Sequence, residues 1–243
     1  MSNIIEFYDI ASKTDGTFSP NTYKTRYLLH YKGLPYKRIS VQFPDIKGVC
    51  EKIGATATAK NPDGSPLYTF PVIRDLATGV VISDSLPIAE YLEKQYPDKP
   101  TLIPAGTTGL HRAHDAAFKA KLANFFPLLL PKVPNILNEA SMEFFIRTRK
   151  ERLGVTPAEM SPKDPVDQWK RVEADLEVVA GWYNEGDQFI GGKKPVYADF
   201  VIASWIMFAR VLYGADSPEW KNLSGTFQGG RWGRLLESLK EYE

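Results

Sequence analysis

Nearly every strand signal in this chain lies before Pro97, and almost none appears after it. That change of pattern restricts the fold more than any other feature. Ile4-Ile5-Glu6-Phe7-Tyr8 is apolar and β-prone, and a polar loop follows from Asp9 to Phe18. Tyr23, Tyr27, Leu28 and Tyr31 then fall on one stripe of a 3.6-residue period, so a helix is expected from about Pro20 to Tyr31, stopped by Gly33. Tyr36 to Phe43 reads as a second strand. Thr69 to Arg74 and Val80 to Ser83 read as a hairpin across Asp75-Leu76-Ala77-Thr78-Gly79, with a helix expected upstream of it. Leu86 to Tyr96 is helical in pattern, and Pro97 ends it. The order β-α-β, α, β-β-α predicts an α/β domain built on a mixed four-stranded sheet with helices packed against it.

Pro97 to Gly109 holds three prolines and two glycines without periodicity, which marks a linker. The expected organisation is a domain over 1–97, a linker over 98–108 and an all-α helical bundle over 109–243. Leu110 to Leu130 and Ser141 to Leu153 are patterned as helices, and Val172, Leu176, Val179, Ala180 and Tyr183 mark an amphipathic one. Gly229 to Tyr242 supplies a last helix or tail. Val196 to Tyr213 is the most apolar long run, but Asp199 and Arg210 interrupt it, so a buried helix is expected rather than a membrane span. Thirty basic residues against 29 acidic ones leave a net charge of +1, which gives no electrostatic case for nucleic acid or an anionic membrane as partner. The start, MSNIIEFYDI, lacks the basic and apolar regions of a secretory signal. A single cysteine, Cys50, excludes an internal disulfide and suits a reducing, cytoplasmic setting.

Three short motifs carry chemistry. In TFSPNTYKTR, Ser19 stands where an N-cap is expected and Pro20 where the first helical residue is expected. A cap also sits at the positive end of a helix dipole. A thiol held there by the Ser19 hydroxyl would lose its proton more readily than a free thiol at ~8.5. In Ser83-Asp84-Ser85-Leu86-Pro87 a second helix start is expected; its N–H groups suit a carboxylate and Asp84 suits an ammonium, together an amino-acid headgroup. Between them, Thr69-Phe70-Pro71-Val72-Ile73 puts a proline in a strand, which places it at an edge or a turn.

The motifs SPNTYKTR, TFPVIRD and SDSLPIAEYLEKQYP, in this order and spacing, resemble the thioredoxin-like domain of a cytosolic glutathione transferase. The second half, with PVYADFVIA opening the buried helix, is similar to that family's all-α C-terminal domain, so the resemblance covers essentially the whole chain. Within the family the Ser-Pro-Asn-Thr-aromatic motif is closest to the fungal-specific A class, which is related to bacterial β-etherases. The resemblance implies a fungal homodimer that detoxifies or binds small molecules, with glutathione as cosubstrate and no metal. It implies Ser19 as the catalytic residue, with Tyr8 as runner-up. Pro71 would match the family's cis-proline and free the Val72 backbone to pair with the cysteinyl unit, and Asp84 and Ser85 would grip the γ-glutamyl headgroup. Phe125 and Phe126 are implied in the pocket for the electrophile, and Lys52 and Lys60 are candidates for the glycine carboxylate. The expected activity is attack of the glutathione thiolate on hydrophobic aromatic electrophiles, β-aryl ethers among them. The alternative is a non-catalytic carrier of aromatic or polyphenolic ligands.

Other features point away from chemistry. Val196 stands where many family members carry a hydroxyl three residues before the aspartate, here Asp199, so a capping bond is expected to be missing or replaced. His111 and His114 share a helix face at i, i+3 but lack a third ligand, and solvent-facing or capping roles are expected. Cys50 is expected to be a buried small apolar residue or an idle surface thiol. Gly191-Gly192 and Gly229-Gly230 follow no strand with phosphate-loop spacing, so nucleotide binding is not expected.

Overall fold

A computed structural model of the chain describes residues 5–14 and 16–243. Residues 1–4, which include Ile4 of the expected first strand and the start read for a signal, lie outside the described residues, as does Asp15 of the expected loop. The chain divides into two compact units. One runs up to Thr101 and takes in Pro134–Thr156; the other comprises Leu102–Val133 and Pro157–Glu243.

The first unit holds a four-stranded mixed sheet. Its strands are β1 (Ile5–Ile10), β2 (Tyr36–Val41), β5 (Val72–Asp75) and β6 (Val81–Ser83), in the spatial order β2-β1-β5-β6. β1 runs parallel to β2 and antiparallel to β5, and β5 runs antiparallel to β6. As a central strand, β1 is buried at Ile5, Phe7, Tyr8, Asp9 and Ile10. Helix α1 (Pro20–Tyr31) and helix α3 (Ser85–Gln95) pack on each other. Tyr27, Leu28, Ile88, Ala89 and Leu92 are sealed completely, each large aliphatic side chain contributing about 1.5–3 kcal/mol. α1 has the bounds its pattern predicts, and Gly33 follows with φ +59°, a left-handed turn suited to glycine. This order of elements is the thioredoxin-like fold that the first half predicts.

Helix α3 is fastened to β5 through one buried carboxylate. Asp75 accepts from the Tyr91 hydroxyl at 2.8 Å, the Tyr96 hydroxyl at 2.6 Å and the Ala77 N–H at 2.9 Å. Burial opposes its charge, yet these donors outweigh burial and hold it below the usual carboxylate range. The tie fixes the C-terminal half of α3 against the end of β5.

Between β2 and β5 lie a 3-10 turn over Phe43–Asp45, helix α2 (Ile46–Ile53) and a short hairpin of β3 (Ala59–Lys60) and β4 (Pro66–Leu67). Asn61-Pro62-Asp63-Gly64-Ser65 makes the hairpin's turn, with Gly64 at φ +83° and the Asp63 carboxylate accepting from Ser65 N–H at 2.9 Å. Helix α6 (Glu139–Leu153) also belongs to this unit. Ser141, fully buried, donates to the Gln42 side chain and accepts from Phe43 N–H at 3.0 Å, and Phe43 packs on Phe145.

The second unit is helical: α4 (Thr108–Lys121), α5 (Phe126–Leu129), α7 (Pro165–Ala180), α8 (Tyr197–Tyr213), α9 (Pro218–Gly225) and α10 (Arg231–Ser238). α8 is buried over Tyr197–Ala209, as a helix apolar all round must be. The single helix expected over Leu110–Leu130 is broken after Lys121. Pro127 lacks an N–H and cannot continue α4, so the chain restarts with this proline in the first turn of α5. α9 is an addition to the expected elements, and the tail over 229–242 is a short helix between 3-10 turns. No described helix is long and apolar enough to cross a membrane.

Candidate active site

The register of the sheet brings the three motifs to one end of it. Tyr8 near the end of β1 pairs with Val72 at the start of β5, and Val72 pairs with Ser83 at the end of β6. The loop leaving β1 leads to Ser19, the chain entering β5 carries Phe70-Pro71, and the chain leaving β6 enters Asp84-Ser85. A backbone bond from Asp84 N–H to Pro71 C=O, 3.0 Å, joins the second and third.

Ser19 occupies the N-cap of α1 at φ −67°, ψ 132°, and its carbonyl accepts the first helical bond from Tyr23 N–H at 2.9 Å. Its hydroxyl caps nothing and makes no hydrogen bond among the described residues. Two other helices that begin on proline show what a used cap looks like. Ser217 at the start of α9 has φ −64°, ψ 147° and accepts from Trp220 N–H at 3.1 Å. Asp164 at the start of α7 accepts from Asp167 N–H at 3.0 Å. Ser19 has nearly the backbone of Ser217 and leaves its Oγ uncommitted at a helix N-terminus, where a partial positive charge favours anions.

The Phe70–Pro71 peptide bond is cis. The expectation that Val72 offers a free backbone is corrected by the sheet. N–H and C=O groups alternate in direction along an antiparallel strand. Asp75 N–H donates to Val80 C=O and Pro71 C=O accepts from Asp84 N–H, both toward β6. Val72, one residue from Pro71, therefore turns its own groups toward Tyr8 of β1 and is committed to the sheet. The backbone left open is that of Phe70: neither its N–H nor its C=O has a partner among the described residues. The signal was in the sequence, since Phe70 directly precedes the proline that ends regular pairing.

Asp84 is exposed and caps α3, its Oδ1 accepting from Ser85 N–H at 2.7 Å and, weakly, from Ser85 Oγ at 3.4 Å. Oδ2 has no partner among the described residues. The residue sits at φ +77°, ψ 141°, a region that only glycine enters without strain. Tyr8 presents the opposite case. It is buried against Phe70, and its hydroxyl already donates to Glu6 Oε2 at 3.0 Å. Burial first, and then the Glu6 carboxylate, push its pKa up to about 12. It is a core tyrosine.

Comparison with known proteins gives the family. Residues 18–95 match the glutathione S-transferase N-terminal domain and residues 109–242 the glutathione S-transferase C-terminal domain. The chain belongs to the glutathione S-transferase family. A glutathione S-transferase-like protein of Aspergillus flavus, ustS, is 32% identical over 229 residues, spanning 85% of the transferase and 80% of the relative. The crystal structure of glutathione S-transferase CsGST63524 of Ceriporiopsis subvermispora, in complex with glutathione, superposes with a TM-score of 0.92 at 41% identity over 99% and 98% of the two chains. Glutathione transferase GSTFuA3 of Phanerochaete chrysosporium superposes with a TM-score of 0.92 at 36% identity over 98% and 97%. These relatives, two fungal glutathione transferases and one fungal transferase-like protein, are of the kind the sequence motifs resemble.

The remaining expected residues of the transferase fall as follows. Phe125 is 2% exposed and packs edge-on against Trp169, whereas Phe126 is half-buried against Trp205. Lys52 and Lys60 are exposed, on α2 and β3. Cys50 is buried in α2, and burial raises its thiol to about 11, which makes it inert. The histidines are neither solvent-facing nor caps. His111 is buried; His114 stacks on Phe118 and meets the edge of Trp182, with both ring nitrogens enclosed and unpartnered. Among the described residues no group of three or more His, Cys, Asp or Glu could hold a metal ion. The bond that a hydroxyl at position 196 would make is replaced by the Val196 carbonyl, which accepts from Asp199 N–H at 2.9 Å, while Asp199 Oδ2 accepts from Val196 N–H at 2.9 Å and Oδ1 from Ile190 N–H at 2.8 Å. Burial raises the Asp199 carboxyl to about 6 despite these donors.

Proposed function

We propose that the transferase binds glutathione as cosubstrate at this end of the sheet and stabilises its thiolate with Ser19. The cysteinyl unit pairs with the open Phe70 backbone in the manner of an added strand, next to cis-Pro71. The free Oδ2 of Asp84 and the start of α3, with Ser85, take the ammonium and carboxylate of the γ-glutamyl headgroup. Bound this way, the thiol gives its proton to water as the Ser19 hydroxyl turns to donate to sulfur, and the α1 N-terminus favours the anion. The thiolate then attacks an electrophilic carbon of a hydrophobic aromatic substrate: a carbon–sulfur bond forms, and the bond to the leaving group breaks with its electron pair, a halide or, in a β-aryl ether, an aryloxide departing. Serine cannot form a mixed disulfide, which favours conjugation or ether cleavage over thiol–disulfide exchange. Of the two expected aromatic contacts, half-buried Phe126 retains the surface to meet a substrate. We take the working form to be a cytoplasmic homodimer of two-domain subunits, with the domains at 1–97 and 109–243.

The observation that carries this reading is the uncommitted hydroxyl of Ser19. The test is Ser19→Ala with an aryl halide and a β-aryl ether as substrates. Turnover should fall at least tenfold while calorimetry shows glutathione still bound, and unchanged turnover would remove Ser19 from the chemistry. A pure carrier would bind polyphenols equally with and without glutathione and turn over neither substrate.

A further inference from the structure

Asp9 is a carboxylate with no exposed surface in the sheet's central strand, an expensive place for a charge unless its partners are fixed. Its Oδ1 accepts from Ile10 N–H at 2.8 Å. Its Oδ2 accepts from Thr17 Oγ1 at 2.7 Å and from Arg38 Nε at 2.6 Å. Arg38 reaches over from β2 and also donates, through Nη2, to the Gly16 C=O at 2.6 Å. Gly16 has φ +98°, open to glycine, and a β-carbon there would come within 3.0 Å of Arg26 Nη1. Two neighbouring strands thus hold Gly16 and Thr17, the residues that deliver the chain to Phe18 and Ser19. Thr17 is itself 3% exposed. The sheet does not need this arrangement: β1 and β2 are already paired in register from Ile5–Tyr36 to Ile10–Val41. What the bonds fix is the loop.

We propose that Asp9, Arg38 and Thr17 are positioning residues for Ser19, holding the loop so that the serine hydroxyl points away from its own helix and toward the glutathione sulfur. The inference rests on the role given to Ser19 above. Asp9 is a shared acceptor, so the loop hydroxyl and the guanidinium set each other's position, and loss of either donor leaves a buried carboxylate under-satisfied. Thr17 is the sharpest probe because Thr17→Val keeps the shape and removes only the hydroxyl.

The experiment follows the ionisation of the bound thiol by the ultraviolet absorbance of the thiolate as pH is varied in the glutathione-saturated enzyme, alongside kcat, KM for glutathione and thermal stability. In Thr17→Val the thiol pKa should rise and kcat should fall about tenfold, equivalent to ~1.4 kcal/mol, with KM for glutathione within twofold. Thr17→Ser should restore both, and Ser19→Ala should add little to Thr17→Val, since both act through one hydroxyl. Arg38→Gln should move the thiol pKa in the same direction. If Thr17→Val folds, melts lower and leaves the thiol pKa unchanged while Ser19→Ala raises it, the network is merely structural and the proposal is overturned. If Ser19→Ala itself leaves the thiol pKa unchanged, the reading of Ser19 fails and the positioning role falls with it.

Discussion

Asp84 offers a perturbation in which stability and ligand affinity should move in opposite directions. At φ +77°, ψ 141° its backbone is held where a β-carbon is strained, at a cost of about 1–3 kcal/mol. Glycine at this position releases the strain. It returns roughly 0.5–1 kcal/mol through the greater freedom of the unfolded chain and a few tenths through the lost cap. The net gain for Asp84→Gly is about 1 kcal/mol, a rise in Tm of about 2–4 °C for a chain of this size. Asp84→Ala keeps the strain and loses the cap, so it should fall by about 1 kcal/mol. Both variants remove the carboxylate proposed to hold the γ-glutamyl ammonium, a charge-assisted bond of ~1.5–3 kcal/mol, so both should weaken glutathione binding at least tenfold. Thermal denaturation and calorimetry on the same preparations check both limbs. A glycine variant less stable than the alanine variant refutes the strain argument. Undiminished glutathione affinity in both refutes the binding role, and would mean that the unusual backbone serves the start of α3 alone.

Other consequences follow from groups buried without balance. Ser83 Oγ is enclosed without a partner, so Ser83→Ala should stabilise the protein by ~1 kcal/mol, read as a raised Tm. His114 is depressed to about 4, first by burial and then by His111, so the neutral ring's contribution is whole above pH 6.5 and is lost as pH falls toward 4. Asp199, raised to about 6, has the opposite slope: its contribution is whole below about 4 and is lost as pH rises toward 6. Each amounts to roughly 3 kcal/mol at most over nearly the same window, so they offset one another. Acidifying from pH 6.5 to 4 should therefore raise the relative stability of His114→Phe and lower that of Asp199→Asn, measured by denaturant unfolding. Parallel curves for both variants and the parent would contradict the pairing.

The sequence was informative wherever structure is set locally. The bounds of α1 follow from a serine–proline start, a 3.6-residue stripe and Gly33, all within fifteen residues, and the hairpin of β5 and β6 follows from its own turn residues. The site was legible as three motifs because each sits at the end of an element. Pro71 signalled where regular pairing lapses, but choosing Phe70 over Val72 as the open backbone needs the Tyr8–Val72 register, set by strands more than sixty residues apart in the chain. Asp9 read as the beginning of a polar loop for a similar reason: the arginine that makes its burial tolerable lies 29 residues on. Two misreadings had signals available. Pro127 forbids a helix through to Leu130, and His111 lies seven residues from buried Phe118, on the inner stripe of α4.

The dipeptide Ser-Pro occurs at the start of both α1 and α9, and by sequence alone the two serines are the same cap. Their backbones differ by 3° in φ and 15° in ψ, taken from −67°, 132° and −64°, 147°, yet only the Ser217 hydroxyl bonds to its helix. The difference therefore lies in the rotamer, and the rotamer is set by what surrounds it. Ser217 stands at a half-exposed helix start, whereas Ser19 is 7% exposed at the end of a loop tied down through Thr17 and Gly16. The pair is an internal control on the assignment of Ser19. Ser217→Ala should cost ~1 kcal/mol of stability and leave kcat unchanged, because it removes a working cap remote in sequence from the proposed chemistry. Ser19→Ala should lose far less stability, having no cap bond to break, and should lose its activity instead. Unfolding curves and steady-state kinetics on the two variants decide it: equal losses of stability with equal activity would make Ser19 an ordinary cap, and the thiolate would need another donor.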